Sequence, residues 1–452
     1  MDHTTKNPLG SGPIGKLMLK FAIPSIVAML VSAIYNIVDQ LFIGHAVGEL
    51  GNAATNVAFP LSTVCTAAAL LFGIGGASNF NLSMGAGEKK EASYYIGNAL
   101  SALTICGVVI AAGTLLFLEP LLIFCGSPEE VLPYAKTYVS VSAIGFPFLI
   151  LTIGGGHLMR ADGSPKMTMF CSLSGAVINT VLDALFVLVF DMGMFGAALA
   201  TIIGQIFSAG IVIYYFVRMK RVELTREHFA LKAHYLVRTA SLGMASFFNQ
   251  LAMMVVQVVL NQTLTYYGGL SIYGKAIPLA CAGIINKVNM IFMGIVIGIA
   301  QGTQPIESFN YGAMNYKRVK SAYKLATACG AGIAAIFFIL FQLCPRQILM
   351  LFGSAEESYY EFGVNYFRIF LFFTVLNFLQ PITATFFTSI GKPYKGIFLS
   401  LTRQILFLLP LVVVLPKYMG IDGILYAGPI ADFMAAVAAV VMVWHEMRLM
   451  RK

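Results

Sequence analysis

Long apolar runs follow one another along almost the whole chain, and each is long enough to cross a lipid bilayer. A transmembrane helix needs about 20 consecutive apolar residues to cross a hydrocarbon core of roughly 30 Å. Only 11% of the 452 residues are charged, against about 25% in soluble domains, and the mean hydropathy is +0.81. Polar breaks separate twelve runs, at residues 16–44, 51–84, 92–120, 129–160, 165–191, 194–220, 235–266, 275–309, 317–344, 355–388, 394–418 and 421–447. The sequence therefore predicts an all-α polytopic membrane protein with twelve transmembrane helices.

The basic residues are concentrated in the breaks on one side of the predicted membrane. With twelve spans both termini lie on that side, together with the basic linker 221–234 and the bases Lys392, Lys395 and Arg403. The other side receives the acidic turns GSPEE at 126–130 and GSAEE at 353–357. Because loops rich in Lys and Arg stay in the cytoplasm, we expect an inner (plasma) membrane protein with both termini cytoplasmic. The net charge of +9 is then a topology signal, and no nucleic-acid partner is expected.

An internal repeat relates the two halves of the chain. The two acidic turns begin at Gly126 and Gly353, which are 227 residues apart, and the same offset relates Gly85 to Gly312. Because this offset covers six spans, the two copies have the same orientation in the membrane. The sequence predicts two pseudo-symmetric six-helix lobes around a central cavity, with an N-terminal lobe at 1–220, a cytoplasmic linker at 221–234 and a C-terminal lobe at 235–452.

Three of the 20 acidic residues lie inside apolar runs: Asp39, Asp183 and Asp432. An ionised Asp in the middle of a transmembrane helix costs about 2.5–3.5 kcal/mol on insertion scales, so it is tolerated where it faces a cavity, a partner or a cation. Asp432 has no identifiable partner, and we interpret it as structural. Since no carboxylate lies between Glu227 and Glu307, a carboxylate-based cation site is expected in the first half.

Four residues of the first half form the predicted cation site: Asp39, Asn179, Asp183 and Thr201. Asn179 lies four residues before Asp183 on one helix face, so that amide and carboxylate oxygens can bind Na⁺ or share a proton. Each residue also has a structural interpretation, since Asn179 and Thr201 alone are typical of helix packing. For the bases Lys287 and Arg368, a structural role is the first interpretation, and contact with the substrate is the second.

Six segments, taken in order, resemble the multidrug and toxic compound extrusion (MATE) family. They are AIPSIV…YNIVDQLFIG at 22–44, GAGEKKEA at 85–92, RADGSPK at 160–166, INTVLD at 178–183, GAALAT at 196–201 and GIAQGTQPIESFNYGA at 298–313. The resemblance implies two six-helix lobes that export organic cations in exchange for H⁺ or Na⁺. It also implies a cation site at the four residues named above, a first helix that bends at Pro24, and a tyrosine, Tyr35, beside the site.

The function expected from these observations is multidrug efflux by a non-enzymatic, monomeric antiporter that alternates access to the two sides of the lipid bilayer. The expected substrates are lipophilic organic cations, and no cofactor is expected besides H⁺ or Na⁺, which would bind at Asp39, Asn179, Asp183 and Thr201. One alternative is a lipid-linked oligosaccharide flippase of the same superfamily, for which Lys287 and Arg368 would hold pyrophosphate. Another is an intramembrane enzyme, in which Asp39 and Asp183 form a proteolytic dyad. Seven scattered cysteines without a CxxC motif indicate neither a metal site nor a disulfide framework.

Overall fold

The computed structural model describes residues 7–351 and 357–450, almost entirely as α-helices. The turns at 86–88, 162–164, 313–315 and 391–392 define what we call the basic face of the membrane, and the other side is the opposite face. The first six spanning helices are α1 Ile14–Ala46, α2 Glu49–Gly85, α3 Lys89–Leu116, α4 Leu132–Ala161, α5 Pro165–Asp183 with the π-helical turn Ala184–Val189, and α6 Gly193–Val217.

The second half repeats the order of the first. Its spans are α7 Ala233–Gly269, α8 Ala276–Gly312, α9 Tyr316–Leu343, α10 Glu357–Phe370 with Thr374–Asn377 and Leu379–Ser389, α11 Pro393–Leu401 with the π-helical Thr402–Leu408, Leu409–Val414 and Pro416–Met419, and α12 Ile421–Leu449. Short helices lie at Pro8–Ser11, Leu118–Phe124, Arg226–Phe229 and Pro345–Met350. Among the described residues, eleven helices are long and apolar enough to span a membrane, and α10, counted as one broken span, makes the predicted twelve. The predicted acidic turn at 353–357 falls mostly outside the described residues.

The apolar run at 355–388 does not predict the shape of the tenth span, α10. Its two halves are bent by 45°. Pro381 has no N–H to donate to the carbonyl of Asn377. At the break itself, the Leu371 carbonyl accepts from the Thr374 backbone N–H at 3.1 Å and from the Thr374 hydroxyl at 2.7 Å. Since both halves are apolar, hydropathy alone predicts one continuous helix.

The repeat appears in the structure as matched helix lengths. α2 and α8 both have 37 residues, and α3 and α9 both have 28. Their first residues keep the 227-residue offset, from Glu49 to Ala276 and from Lys89 to Tyr316. The two pseudo-symmetric six-helix lobes expected from the sequence are confirmed.

The two lobes touch along the half of the molecule that ends at the basic face. A Cβ atom on Gly75 of α2 would lie 1.8 Å from the carbonyl oxygen of Thr239 in α7, so the two backbones are in direct contact. A Cβ atom on Gly302 of α8 would likewise lie 2.5 Å from the Cα atom of Ala22 in α1. Gln304 Nε2 also donates to the Ser78 hydroxyl at 2.8 Å. These contacts close the space between the lobes at the basic face.

The same contacts show that the first spans of the two lobes are related by a shorter offset. Gly75 and Gly302 are 227 residues apart, but their contact partners, Thr239 and Ala22, are 217 apart. At that offset the position of Asp39 in α1 corresponds to Val256 in α7, which is buried. Asn261 lies five residues further along α7, in a different helical turn. The offset is shorter because α7 extends further than α1 at its C-terminal end and is followed by a longer loop.

Towards the opposite face the lobes separate into a cleft. On α8, a Cβ at Gly294 would still touch Met29 of α1 at 3.7 Å, whereas one at Gly283 would have no atom within 4 Å. On α1, Asn36 and Gln40 are exposed. Because separate apolar clusters fill each lobe at this level, the cleft follows the boundary between the lobes.

Candidate functional site

Asp39 of α1 and Asp183 of α5 meet in the N-terminal lobe. Their side chains are close enough for a hydrogen bond between the two carboxyl groups, and the residues are 8% and 0% exposed. Among the described residues, none donates a hydrogen bond to Asp39 Oδ1 or Asp183 Oδ1. Two carboxyl groups can stay this close in a buried site when a proton or another cation lies between them.

Asn179 and Thr201 join the same group, as the sequence predicts. When the Asn179 amide nitrogen faces Asp183, it donates to Asp183 Oδ2 at 2.9 Å. The amide oxygen then accepts from the backbone N–H of Thr201 at 3.1 Å and from its hydroxyl at 3.2 Å. The Thr201 hydroxyl also lies 3.0 Å from the Ala197 carbonyl. All four residues of the predicted site are thus brought together, and all four are buried.

Small residues bring α5 and α6 close enough for this network to form. A Cβ atom on Gly204 would lie 2.8 Å from the Gly175 carbonyl oxygen and 3.3 Å from the Asn179 Cβ. One turn further along, the Ser208 hydroxyl donates to the Cys171 carbonyl at 3.1 Å. The backbone contact at Gly204 therefore fixes Thr201, one turn away on α6, opposite Asn179.

A π-helical turn follows Asp183 immediately, at Ala184–Val189. Such widened turns are rare and occur often at functional sites, because they shift the hydrogen-bond register of the helix by one residue. The turn does not follow from the composition of AVINTVLDALFVL, which is typical of an ordinary apolar helix. Asp183 is thus the last residue of regular α-helix before the register shifts.

Two tyrosines border the carboxylate pair. Tyr35 of α1, expected beside the site, has its phenol next to the Thr201 hydroxyl and close to both Asp39 and Asp183. Tyr138 of α4 lies close to the same two carboxylates, with the Ser142 hydroxyl beside it. Sequence reasoning missed Tyr138 and Ser142. The sequence pattern that could have indicated them is a pair of hydroxyl side chains inside an apolar run. The two are four residues apart and hence on one helix face.

Pro24 lies inside α1, which runs through it without a break from Ile14 to Ala46. Without an N–H, Pro24 leaves the Lys20 carbonyl free of its helical partner. The neighbouring Ser25 hydroxyl donates to the Phe21 carbonyl at 2.8 Å. Pro24 lies between Ala22 and Ile26, the residues of α1 whose backbones contact Gly302 and Gly298 of α8. The weakest point of α1 therefore lies where the two lobes are in contact.

Asp432 has a partner that the sequence did not reveal. Arg403 Nε donates to Asp432 Oδ1 at 2.5 Å, and the two side chains are 13% and 1% exposed. The structural interpretation of Asp432 is supported by this ion pair. The placement of Arg403 in a basic turn was wrong, because Arg403 lies inside α11 in the π-helical segment Thr402–Leu408. Polar breaks in a hydropathy pattern do not distinguish a loop base from a base paired inside the membrane.

Two further carboxylates, both near the ends of their spans, are buried. Glu307 of α8 is 2% exposed and lies beside the Ser389 hydroxyl of α10. Glu446 of α12 is 1% exposed and accepts from the ammonium groups of Lys392 and Lys395 at 2.5 and 2.6 Å. Both lie at the basic-face end of the C-terminal lobe, far along the chain from the Asp39–Asp183 pair.

Arg368 has the structural role that was ranked first for it. Its Nε donates to the Gln342 carbonyl at 3.2 Å, and Gln342 Nε2 donates to the Arg368 carbonyl at 3.0 Å. These bonds join α10 to α9 within the C-terminal lobe. Lys287 is exposed on α8.

The donor set around Asp39 consists of carboxylate, amide and hydroxyl oxygens. Such oxygens suit a proton or a hard monovalent cation, while thiolate and imidazole ligands, which transition metals prefer, do not contribute. Among residues 7–351 and 357–450, no group of three or more His, Cys, Asp and Glu side chains could hold a metal ion. The arrangement can therefore take up one cation and release it with a change in its own charge.

Comparison with known proteins places this geometry in a family. The MatE family model matches residues 24–185 and 245–414, one stretch in each lobe. The chain belongs to the MatE family. Its members are membrane transporters rather than enzymes, and the many apolar helices agree with an integral protein of the plasma membrane.

Individual relatives of this MatE-family protein are distant but cover nearly its whole length. The multidrug export protein MepA of Staphylococcus saprophyticus is 24% identical over 430 residues, which is 95% of this chain and 93% of MepA. A solved multidrug resistance MATE family transporter in an outward-facing conformation has a TM-score of 0.91 at 22% identity, covering 100% and 99% of the two chains. A MOP superfamily transporter from Pyrococcus furiosus has the same TM-score, identity and coverage. The likeness to these two structures shows a shared fold.

Proposed function

We propose that this protein is a multidrug efflux antiporter that exports lipophilic organic cations in exchange for H⁺ or Na⁺. The observation that carries the proposal is the buried Asp39–Asp183 pair, in which one oxygen of each carboxyl group has no donor in the part of the chain that the structure describes. An unneutralised pair of this kind is costly inside a membrane protein. The energy that the pair gains on binding a cation is what couples the ion gradient to transport.

In the proposed cycle, the cleft is open towards the cell exterior and H⁺ or Na⁺ enters the site at Asp39, Asn179, Asp183 and Thr201. The neutralised carboxyl groups no longer attract a cationic substrate, and their hydrogen bonds to neighbouring groups change. α1 then bends at Pro24, where a backbone hydrogen bond is already missing. The bend narrows the space beside Tyr35 and releases the substrate. Moving one charge through 100 mV contributes about 2.3 kcal/mol.

The substrate class rests on the relatives and on the character of the cleft. The MepA relatives are multidrug export proteins. Aromatic and Met side chains favour bulky cations of many shapes, because hydrophobic and cation–π contacts depend little on exact fit. On α7, Met253 and Tyr266 are exposed. The proposed transporter acts as a monomer, with its lobes at 1–220 and 235–452, and the basic face is cytoplasmic by the positive-inside rule.

The test uses purified protein in proteoliposomes loaded with a fluorescent organic cation, with a Na⁺ or an H⁺ gradient imposed separately. We expect efflux under one of the two gradients, and we expect Asp39→Asn and Asp183→Asn to lower it about tenfold or more, since contacts to charged groups are worth about 1.5–3 kcal/mol. Glu361→Gln, at an exposed carboxylate of the C-terminal lobe, is the matched control. Normal efflux by Asp39→Asn would contradict the proposal. Absence of efflux by the unaltered protein under both gradients would contradict it as well.

The flippase alternative finds less support. A pyrophosphate carries several negative charges and is usually held by more than one base. Of the two bases considered for that role, Arg368 is bonded to Gln342 within the C-terminal lobe. Lys287 remains, opposite the lobe that holds Asp39 and Asp183. Such a cleft favours a substrate with a positive charge.

A further inference from the structure

Lys287 of α8 faces the cleft between the two lobes. On a helix, residues spaced by four, three and four positions lie on one face, and this spacing relates Lys287, Ile291, Gly294 and Gly298. A Cβ atom on Gly298 would lie 2.6 Å from Ile26 of α1, and one on Gly294 would lie 3.7 Å from Met29. The face of α8 that carries Lys287 is therefore the face directed at α1 of the other lobe.

The opposite face of α8 is buried in its own lobe. Cys281, Ile285 and Val288 belong to the apolar core of the C-terminal lobe. Lys287 lies about 200° around the helix from Ile285, since each residue adds about 100°. Its ammonium group is thus directed away from the core, and the residue is exposed. None of the ion pairs between described residues includes Lys287.

The depth of Lys287 follows from the pairing of α8 with α1, which run in opposite directions. Gly298 lies opposite Ile26 and Gly294 opposite Met29. Lys287 lies seven residues from Gly294 in the direction of the opposite face, which is about 10 Å at 1.5 Å per residue. The residue of α1 at the same depth is Asn36. Asn36 is exposed, and Asp39 lies one helical turn beyond it. Lys287 and Asn36 therefore lie on opposite walls of the cleft, and the buried Asp39–Asp183 pair lies within the N-terminal lobe at nearly the same depth.

The two lobes carry opposite charge at this depth. The N-terminal lobe holds the buried pair Asp39 and Asp183, whereas α7 and the first 31 residues of α8 contain no carboxylate. The wall from the C-terminal lobe carries Lys287 and, at its outer end, Lys275. Beside Lys287, the Asn286 amide donates to Gln257 at 3.2 Å, and Gln257 donates to Asn261 at 2.9 Å. Neutral amides thus surround the lysine and do not neutralise it.

From this placement we infer that Lys287 recognises an anionic group of the substrate, so that the cleft accepts zwitterionic amphiphiles. The inference rests on the proposed function and adds a specificity-determining residue to it. The substrate's ammonium group turns to the N-terminal lobe, which holds Asp39 and Asp183, and its carboxylate accepts hydrogen bonds from the Lys287 ammonium. A cavity of about 620 Å³ lined by Asn261, Thr265, Tyr266 and Leu279 has the size of sites for drug-sized molecules and holds the apolar body.

A matched pair of dyes separates this charge preference from general affinity. A rhodamine ester is a permanent cation, and the corresponding free acid has the same ring system with a carboxylate added. Binding of each dye to purified protein is measured by fluorescence anisotropy for the unaltered protein and for Lys287→Met, Lys287→Arg and Arg368→Met. Arg368→Met removes a base that is bonded within the C-terminal lobe and serves as the control.

We expect Lys287→Met to weaken binding of the free acid about tenfold, as the loss of a charge-assisted hydrogen bond does, with binding of the ester unchanged or tighter. Lys287→Arg retains the preference, and Arg368→Met changes neither dye. Equal effects of Lys287→Met on both dyes, or no effect on either, would overturn the inference, as would failure of the unaltered protein to bind the free acid. Binding needs no ion gradient. Loss of gradient-driven efflux of the ester, with the acid still bound through Lys287, would therefore count against the proposed function alone.

Discussion

Gly85 and Gly312 occupy equivalent positions in the two lobes, and each packs against the backbone of the other's helix. A Cβ atom on Gly85 would lie 2.0 Å from the Phe309 carbonyl oxygen, and one on Gly312 would lie 2.1 Å from that of Leu82. Phe309 and Leu82 are themselves related by the 227-residue repeat. The closed basic face is thus built from one contact used twice, across a pseudo-two-fold axis.

Gly85→Ala should therefore weaken closure of the basic face. The methyl group cannot fit 2.0 Å from a carbonyl oxygen, so the ends of α2 and α8 must move apart, at a cost of about 1–3 kcal/mol for overpacking. We expect a shift towards states open at the basic face. Spin labels at Lys90 and Lys317, exposed on the two lobes, should show a longer mean distance by double electron–electron resonance.

Gly113→Ala is the matched control for that change. Gly113 lies in α3, where an added Cβ would meet no atom within 4 Å. Ala is the better helix former by about 1 kcal/mol, so this variant should be as stable as the unaltered protein and keep the same label distance. An unchanged distance in Gly85→Ala would mean that the glycine contact does not hold the lobes together.

The Arg403–Asp432 pair should be more important for stability than for transport specificity. Asp432→Asn leaves the Arg403 guanidinium without its carboxylate, and breaking a buried pair typically costs about 3–5 kcal/mol. Arg403→Met combined with Asp432→Leu removes both charges and should recover most of that loss. Thermal unfolding in detergent measures both variants. A double variant that is less stable than Asp432→Asn would contradict this account.

Pro24→Ala should separate the bending of α1 from its folding. The new N–H can donate to the Lys20 carbonyl and complete the helix, so stability should be equal or higher, while efflux falls because α1 bends less readily. Pro60→Ala in α2, another proline inside a long helix, is the control. Unaltered efflux by Pro24→Ala at normal expression would show that the bend is not needed.

Asp162, in the turn between α4 and α5, should make stability depend on pH. Burial raises the pKa of its carboxyl above the ordinary value of 3.8, against the opposing effects of the Tyr215 hydroxyl and the Arg221 guanidinium. A raised pKa means that the folded state binds the proton more tightly, so this contribution is present at low pH and is lost as pH rises through the folded pKa. The melting temperature of Asp162→Asn relative to the unaltered protein should therefore increase as pH rises from 4 towards neutrality. A difference independent of pH would refute this.

Much of the architecture was readable from the sequence, because hydrocarbon imposes simple demands on a chain. A helix must be apolar over about 20 residues to cross the bilayer, so the spans and the repeat appear as patterns along the chain. The four residues of the predicted cation site were also found this way, since Asp39 and Asp183 are costly in an apolar run, and Asn179 shares a helix face with Asp183. Their role as a coupling site stays a prediction.

What the sequence could not determine depends on contacts between helices distant in the chain. The Arg403–Asp432 pair, the burial of Glu307 and Glu446, and the position of Tyr138 beside the carboxylates all arise where side chains of different helices meet. The register of α7 against α2 was decided by backbone contacts at glycines, which composition does not encode. Lys287 shows the division most clearly. The sequence determined that a charged residue lies within a span, and the packing of α8 against α1 decided that it faces the cleft.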